Sequence, residues 1–160
     1  MQILVLYFSK GGNTRKLAER IGEGIESVSG VKALLKSTQE VKKEDFVDSA
    51  GVIAGSPVYF GAMAWDLKRV FDEYVVIRKK MENKVGAAFS TSGDASGGKE
   101  TTMMSIVQCL LIYGMIIVGD PMDATGHYGV AGVGAPDEKI SDNARKLGRR
   151  VAELCKKLGS

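Results

Sequence analysis

The sequence predicts an α/β chain: a doubly wound, five-stranded parallel sheet with helices on both faces. Two observations carry this. Short apolar runs of strand length alternate with longer segments of helical periodicity from one end of the chain to the other. The runs are apolar at every position rather than at every second one, which marks strands covered on both sides. Composition agrees, because 160 residues at 44% apolar and 26% charged can bury a core without metal or crosslink.

Ile3 to Phe8 is the first run, and Asn13 or Thr14 then opens a helix with Leu17, Ile21, Ile25 and Val28 on one face. Val31 to Leu35 reads as a weaker second strand. A polar stretch with a turn of helix around Lys42 to Val47 leads to Gly51–Gly55, the third strand. The next helix carries Trp65, Val70, Phe71, Tyr74 and Ile77 on one side. Val85 to Phe89 is the fourth strand, and a helix with Met103, Ile106, Val107, Leu110 and Leu111 leads to the fifth, Met115 to Val118. The seventeen residues from Gly119 to Ala135 hold five glycines and the only histidine, His127, and read as one long functional loop. The last helix is the clearest: Ile140, Ala144, Leu147, Val151, Leu154 and Leu158 recur at threes and fours, with acids near its start and bases later. Nothing interrupts the pattern, so residues 1–160 are expected to form one domain.

Charge and composition exclude several classes. The net charge is +3, and the seven Lys/Arg and four Asp/Glu from Asp137 onward account for all of it, which is no nucleic-acid footprint. The longest apolar run, Cys109 to Gly119, is eleven residues where a membrane span needs about 20. The chain opens directly on a strand with no basic leader, which points to the cytoplasm. Two cysteines without metal-ligand spacing fit a reducing compartment.

In open parallel sheets the ligand sits beyond the carboxyl ends of the strands, where strand order reverses. The loop after the first strand, Ser9-Lys10-Gly11-Gly12-Asn13-Thr14, offers hydroxyls, an amide, glycine backbone and a helix start, the parts of a phosphate site. It has neither Walker A nor G-x-G-x-x-G spacing. The loop after the third strand, from Ser56 to Met63, sets Tyr59, Phe60 and Gly61 where they could hold a flat ring. The loop after the fourth, Thr91-Ser92-Gly93-Asp94-Ala95-Ser96-Gly97-Gly98, carries no aromatic and can touch a ligand only through backbone and hydroxyls. Twelve of the 20 glycines lie in these loops, in the one after the fifth strand, and at Gly55, where the third strand meets its loop.

These three loops, on strands one, three and four, resemble those of the flavodoxin-like FMN proteins, which have strand order 2-1-3-4-5 and are themselves an example of the switch-point rule. S-K-G-G-N-T is similar to that family's phosphate loop, [ST]-x-x-G-x-[ST]. G-S-P-V-Y-F-G-A-M at Gly55–Met63, F-S-T-S-G and G-G-K-E-T-T between Phe89 and Thr102, L-I-Y-G-M-I-I-V from Leu111 and H-Y-G-V-A-G at His127 resemble the WrbA-type NAD(P)H:quinone oxidoreductases. The likeness covers nearly the whole chain. It implies FMN phosphate contacts at Ser9 to Thr14, ring contacts at Pro57, Val58, Tyr59, Phe60 and Gly61, and further contacts at Thr91, Ser92, Gly93, Asp94, Ser96 and Gly97. Tyr113 stands where the family places a histidine at the flavin.

The resemblance also implies NAD(P)H as co-substrate, a quinone or similar small acceptor, and a homo-oligomer, dimer or tetramer, in which His127 or Tyr128 reaches a neighbouring flavin. The chain departs from the family in lacking a stretch between the second and third strands. It also has Val75 to Asn83, without tryptophan, where the family has a quinone-facing tryptophan loop. Flavodoxins that carry single electrons between redox proteins usually sandwich the ring between two aromatics and surround it with acids. Here the third loop has only Asp94, with Lys99 behind it, which favours the enzyme over the carrier. Because the flavin itself performs hydride transfer, no catalytic side chain is expected. A receiver domain would need acids where Ser9 and Ser56 stand, and a hydrolase a G-x-S-x-G elbow that is absent.

Overall fold

Alternate residues of the first strand go to opposite sides of the sheet, which is why the run has to be apolar throughout. In the computed structural model, which describes residues 1–159, β1 (Gln2–Tyr7) turns Ile3 and Val5 toward one helix layer and Leu4 and Leu6 toward the other. All four are fully buried, and side chains of this size contribute roughly 2 kcal/mol each on leaving water. One layer is α1 (Asn13–Glu26) with α5 (Glu138–Leu158); the other is α2 (Lys43–Val47), α3 (Trp65–Glu73) and α4 (Lys99–Ile112). Between them run β2 (Lys32–Ser37), β1, β3 (Gly51–Tyr59), β5 (Val85–Ser92) and β6 (Ile116–Ile117), paired parallel in that spatial order. This is the doubly wound order 2-1-3-4-5 in the fourth and fifth strands' sequence rank. Among the described residues no helix is long and apolar enough to cross a membrane.

The edge of the sheet differs from the sequence expectation. The fifth strand is split. β6 pairs only with Val85 and Gly86, at the foot of β5, while β7 (Gly129–Val133) pairs parallel with Ala88 to Ser92 at its head. The stretch expected to be a long loop therefore contains a strand. Gly-Val-Ala-Gly-Val hides it, because its glycines read as loop, yet Gly129 is required: at φ +143° a Cβ there would sit 2.0 Å from the Ala88 carbonyl oxygen. The excursion between the two strands is tied off by Asp120, whose carboxylate accepts from the amides of Thr125 (3.1 Å) and His127 (2.8 Å). Arg150 of α5 donates to the carbonyls of Gly119 and Asp120.

One further placement departs from the helical-wheel reading. Trp65 does not face the core: it lies at the first position of α3, 70% exposed, under the Arg69 guanidinium. Gly55 serves the core: a Cβ there would lie 2.2 Å from the Phe89 ring, so its missing side chain makes room for that ring. Cys109 and Cys155 are buried free thiols, and burial pushes both thiol pKa values up, Cys155 to about 11. With the thiolate so disfavoured, neither should be alkylated by iodoacetamide at pH 8 in the folded protein, and both should react after guanidinium unfolding. Mass spectrometry of the adducts reads this directly.

Candidate functional site

Parallel register brings the carboxyl ends of β1, β3, β5 and β7 to one rim, and the loops that leave them meet there. Tyr7 pairs with Gly55, Pro57 with Thr91, and Ser92 with Val133. A cleft of about 160 Å³ opens on this rim, lined by Ser9, Gly11, Asn13, Thr14, Pro57, Val58, Thr91, Ser92, Gly93 and Gly134. Nine of these ten belong to the three loops singled out in the sequence. Gly134 directly follows the strand hidden in the glycine-rich edge, its amide donating to the Ser92 carbonyl at 2.8 Å.

The first loop is pre-shaped around Ser9. Its Oγ accepts from the amides of Gly12 (3.1 Å) and Arg15 (3.3 Å), and Gly12 turns the chain into α1 at φ +88°, where a side chain would be strained. The first intrahelical bond runs from Lys16 to Gly12, so the amides of Asn13 and Thr14 belong to the open first turn, where the helix presents its positive end. Thr14 is buried and shares a 2.7 Å hydrogen bond with Thr91, which fastens the first loop to the head of β5. Lys10 points to solvent beside the cleft.

The second loop is largely strand. β3 continues through Tyr59 and returns as β4 (Ala62–Met63) over a two-residue turn, Phe60 at φ +49° and Gly61 at φ +77°. Two left-handed residues make a turn of the kind that favours Asn-Gly. Phe60 is strained there, and its ring is fully exposed. Tyr59, 39% exposed, leans on Phe8 with ring centroids 6.3 Å apart. The turn lies against the start of α4, where a Cβ on Gly98 would come within 3.1 Å of Gly61 Cα.

β5 runs three residues beyond the expected end at Phe89, so Thr91 and Ser92 are held in strand rather than in loop. Beyond them Asp94 accepts from the amide and hydroxyl of Ser96, Ser92 donates to the Asp94 carbonyl, and Gly97 packs on Ser92. Asp94, Ser96 and Gly97 shape the loop outside the cleft wall.

Tyr113 is not part of this rim. It follows α4 at the foot of the sheet, buried against Phe46 and Phe71, with its hydroxyl donating to the Phe71 carbonyl at 2.7 Å. The next strand, β6, begins opposite Val85, six residues below Thr91 and so about 20 Å from the cleft. The family correspondence fails there because the two-residue β6 ends at the foot. His127 and Tyr128 also lie away from the cleft, on the outer edge beside Gly129, which pairs with Ala88, about 13 Å below Ser92. A larger hollow of about 410 Å³ at the foot of the sheet is built differently: its cation, Lys84, already donates to the Phe46, Val47 and Ser49 carbonyls.

The rim as it stands suits an anion joined to a flat, partly apolar group. Helix-start amides, hydroxyls and glycine backbone lie on one side, and Pro57, Val58 and an exposed aromatic turn on the other. Comparison with known proteins points the same way. Residues 35–128 match the family described as NADPH-dependent FMN reductase. A flavodoxin of Aquifex aeolicus is 37% identical over 95% of this chain and 85% of its own. An NAD(P)H dehydrogenase (quinone) of Archaeoglobus fulgidus is 34% identical over 98% of each chain. The crystal structure of a WrbA-like flavodoxin of Agrobacterium tumefaciens superposes at a TM-score of 0.84 and 23% identity, covering 98% of each chain, and so shares the fold.

Proposed function

This chain belongs to the NADPH-dependent FMN reductase family, within the wider group that includes flavodoxins and NAD(P)H:quinone dehydrogenases, and we propose that it is an FMN-dependent oxidoreductase. It takes hydride from NAD(P)H and reduces a quinone or similar small acceptor in the cytoplasm. The observation that supports this most is the convergence of three separate loops on one cleft at the head of the sheet.

FMN, when bound, supplies the hydride-accepting and electron-donating chemistry. The chain supplies hold and access. Ser9, Asn13, Thr14 and the first-turn amides of α1 would take the phosphate, since their donors converge and, among the described residues, no carboxylate lines the cleft. Pro57, Val58 and the turn from Tyr59 to Gly61 would flank the ring, with Thr91, Ser92 and Gly93 along its polar edge. Asp94, Ser96 and Gly97 support that edge from outside. The third loop has no aromatic with which to cover a second ring face, which leaves one face for the nicotinamide and then for the acceptor. The test is NAD(P)H oxidation by the FMN-loaded protein with and without a benzoquinone. Acceptor-dependent turnover supports the reading, and none with either nicotinamide contradicts it.

A second reading, a carrier that passes single electrons between redox proteins, is favoured by two exposed aromatics, Phe60 in the turn after β3 and Trp65 at the start of α3. The same assay separates the two, because a carrier needs no direct reduction by nicotinamide.

Phe60→Asn tests the strained turn. Relief of a left-handed aromatic should stabilise the flavin-free protein by about 1 kcal/mol, while loss of the ring should weaken FMN binding. Thermal melts and flavin fluorescence titration measure the two effects in one preparation.

A further inference from the structure

A strained turn persists only where its surroundings fix it, and the two ladder pairs of the β3–β4 hairpin, Val58–Met63 and Tyr59–Ala62, are a short ladder for a turn that holds Phe60 at φ +49°. Side-chain hydroxyls supply the rest. The buried Ser56 Oγ accepts from the Ala64 amide at 2.8 Å and donates to the Pro57 carbonyl at 2.6 Å, which closes the hairpin at its base. On α4, Ser105 Oγ accepts from the Met63 amide at 3.0 Å, and Thr102 Oγ1 donates to the Ala62 carbonyl at 3.2 Å. Three positions apart, these two share one face of the helix. Hydroxyls inside a helix commonly return to a carbonyl of their own helix. Ser105 does so, donating to the Thr102 carbonyl at 2.7 Å, and that fixes its Oγ as the acceptor for Met63. Thr102, fully buried, reaches across to the hairpin instead. Three consecutive residues after the turn are thus each held through their backbone by a hydroxyl.

None of the three lines the cleft, yet together they join two of its walls. α4 starts directly after the third loop at Gly98, so a turn fastened to the first two turns of α4 is held at a set distance from Thr91, Ser92 and Gly93. We infer that Ser56, Thr102 and Ser105 are positioning residues for the FMN ring. They keep the Phe60–Gly61 turn in its strained shape before the flavin arrives, so that binding does not have to form it. This rests on the flavin reading above. Ser90 supplies an internal comparison. It is the register partner of Ser56 and, two residues on from Ala88, faces the same helix layer. Among the described residues its Oγ is the only buried side-chain polar atom without a partner. A hydroxyl that bonds nothing can be removed without loosening the turn.

Thr102→Val keeps the shape of the side chain and loses the hydroxyl, whereas Thr102→Ser keeps the hydroxyl and loses a methyl. FMN titration should show affinity about tenfold weaker for Thr102→Val and for Ser105→Ala, the effect of one hydrogen bond. Thr102→Ser and Ser90→Ala should stay near wild type. Hydrogen exchange of the flavin-free protein, read by NMR, should find the Met63 and Ala64 amides protected, and Met63 exchanging faster in Ser105→Ala. The visible circular dichroism of the bound flavin should change in the two weakened variants, which a general loss of stability would not produce. Far-ultraviolet circular dichroism checks folding, and Ser56→Ala, read at Ala64, serves if either α4 variant misfolds. Equal weakening by Thr102→Ser and Thr102→Val would assign the residue to packing and overturn the inference. So would faster exchange at Met63 with unchanged FMN affinity, or unprotected amides in a flavin-free wild type that binds FMN tightly. Protected amides in a wild type that takes up no FMN would instead overturn the flavin reading, and the positioning role with it.

Discussion

Asn13→Glu is expected to purify without flavin and to bind added FMN about a thousandfold more weakly, while the flavin-free protein melts no lower than wild type. Asn13 opens α1 and lines the cleft. A carboxylate at a helix start interacts favourably with the dipole, by some tenths of a kcal/mol, so the fold has no reason to suffer. A phosphate in the same cleft meets a like charge. At about 4 Å and an effective dielectric near 20, one pair of unit charges repels by about 4 kcal/mol, which is the thousandfold. Thr14 is the poorer position for this experiment because it is buried and bonded to Thr91. An acid there would unfold the rim as well as repel the ligand. Fluorescence titration with FMN and a thermal melt of the flavin-free protein measure both halves. Undiminished affinity would place the phosphate elsewhere.

Gly148→Ala is expected to lower stability by about 3 kcal/mol or more, the upper range for overpacking, because its neighbour is backbone. A Cβ there would lie 2.1 Å from the Ile21 carbonyl oxygen, and one on Gly24 would lie 2.0 Å from that of Arg145. α1 and α5 thus cross at a distance only two glycines permit. At about 3 °C per kcal/mol for a chain of this size, the melting temperature should fall by about 10 °C. The Gly24→Ala/Gly148→Ala double variant should cost less than the sum, since either change already forces the same two helices apart. A melting temperature within a degree or two of wild type would contradict the crossing.

That crossing shows what the sequence could and could not reveal. Gly22 and Gly24 stand inside a helical pattern, and periodicity registers them only as weak helix formers. The partner that makes Gly24 necessary, Arg145, lies 121 residues further along. The layers, the strand order and nine of the ten cleft residues were legible because each depends on local pattern: an apolar run, then a loop rich in glycine and hydroxyl, then a helix start. β7 was not legible, because its pairing with β5 rests on glycines that allow close approach rather than on side chains that advertise a strand. Tyr113 was misplaced for a related reason. Correspondence along the chain put it at the rim, whereas the shortness of β6 keeps it at the foot of the sheet. The left-handed Phe60 left no signal either, since Phe-Gly is not a turn pair that sequence rules expect.

Anaerobic titration of the FMN-loaded protein with NADPH and with NADH is the most direct measurement of the central claim. The account predicts that the yellow absorbance bleaches with about one nicotinamide per flavin, because one hydride carries both electrons. A protein that takes up no FMN, or whose flavin stays yellow under excess of both nicotinamides, would contradict it.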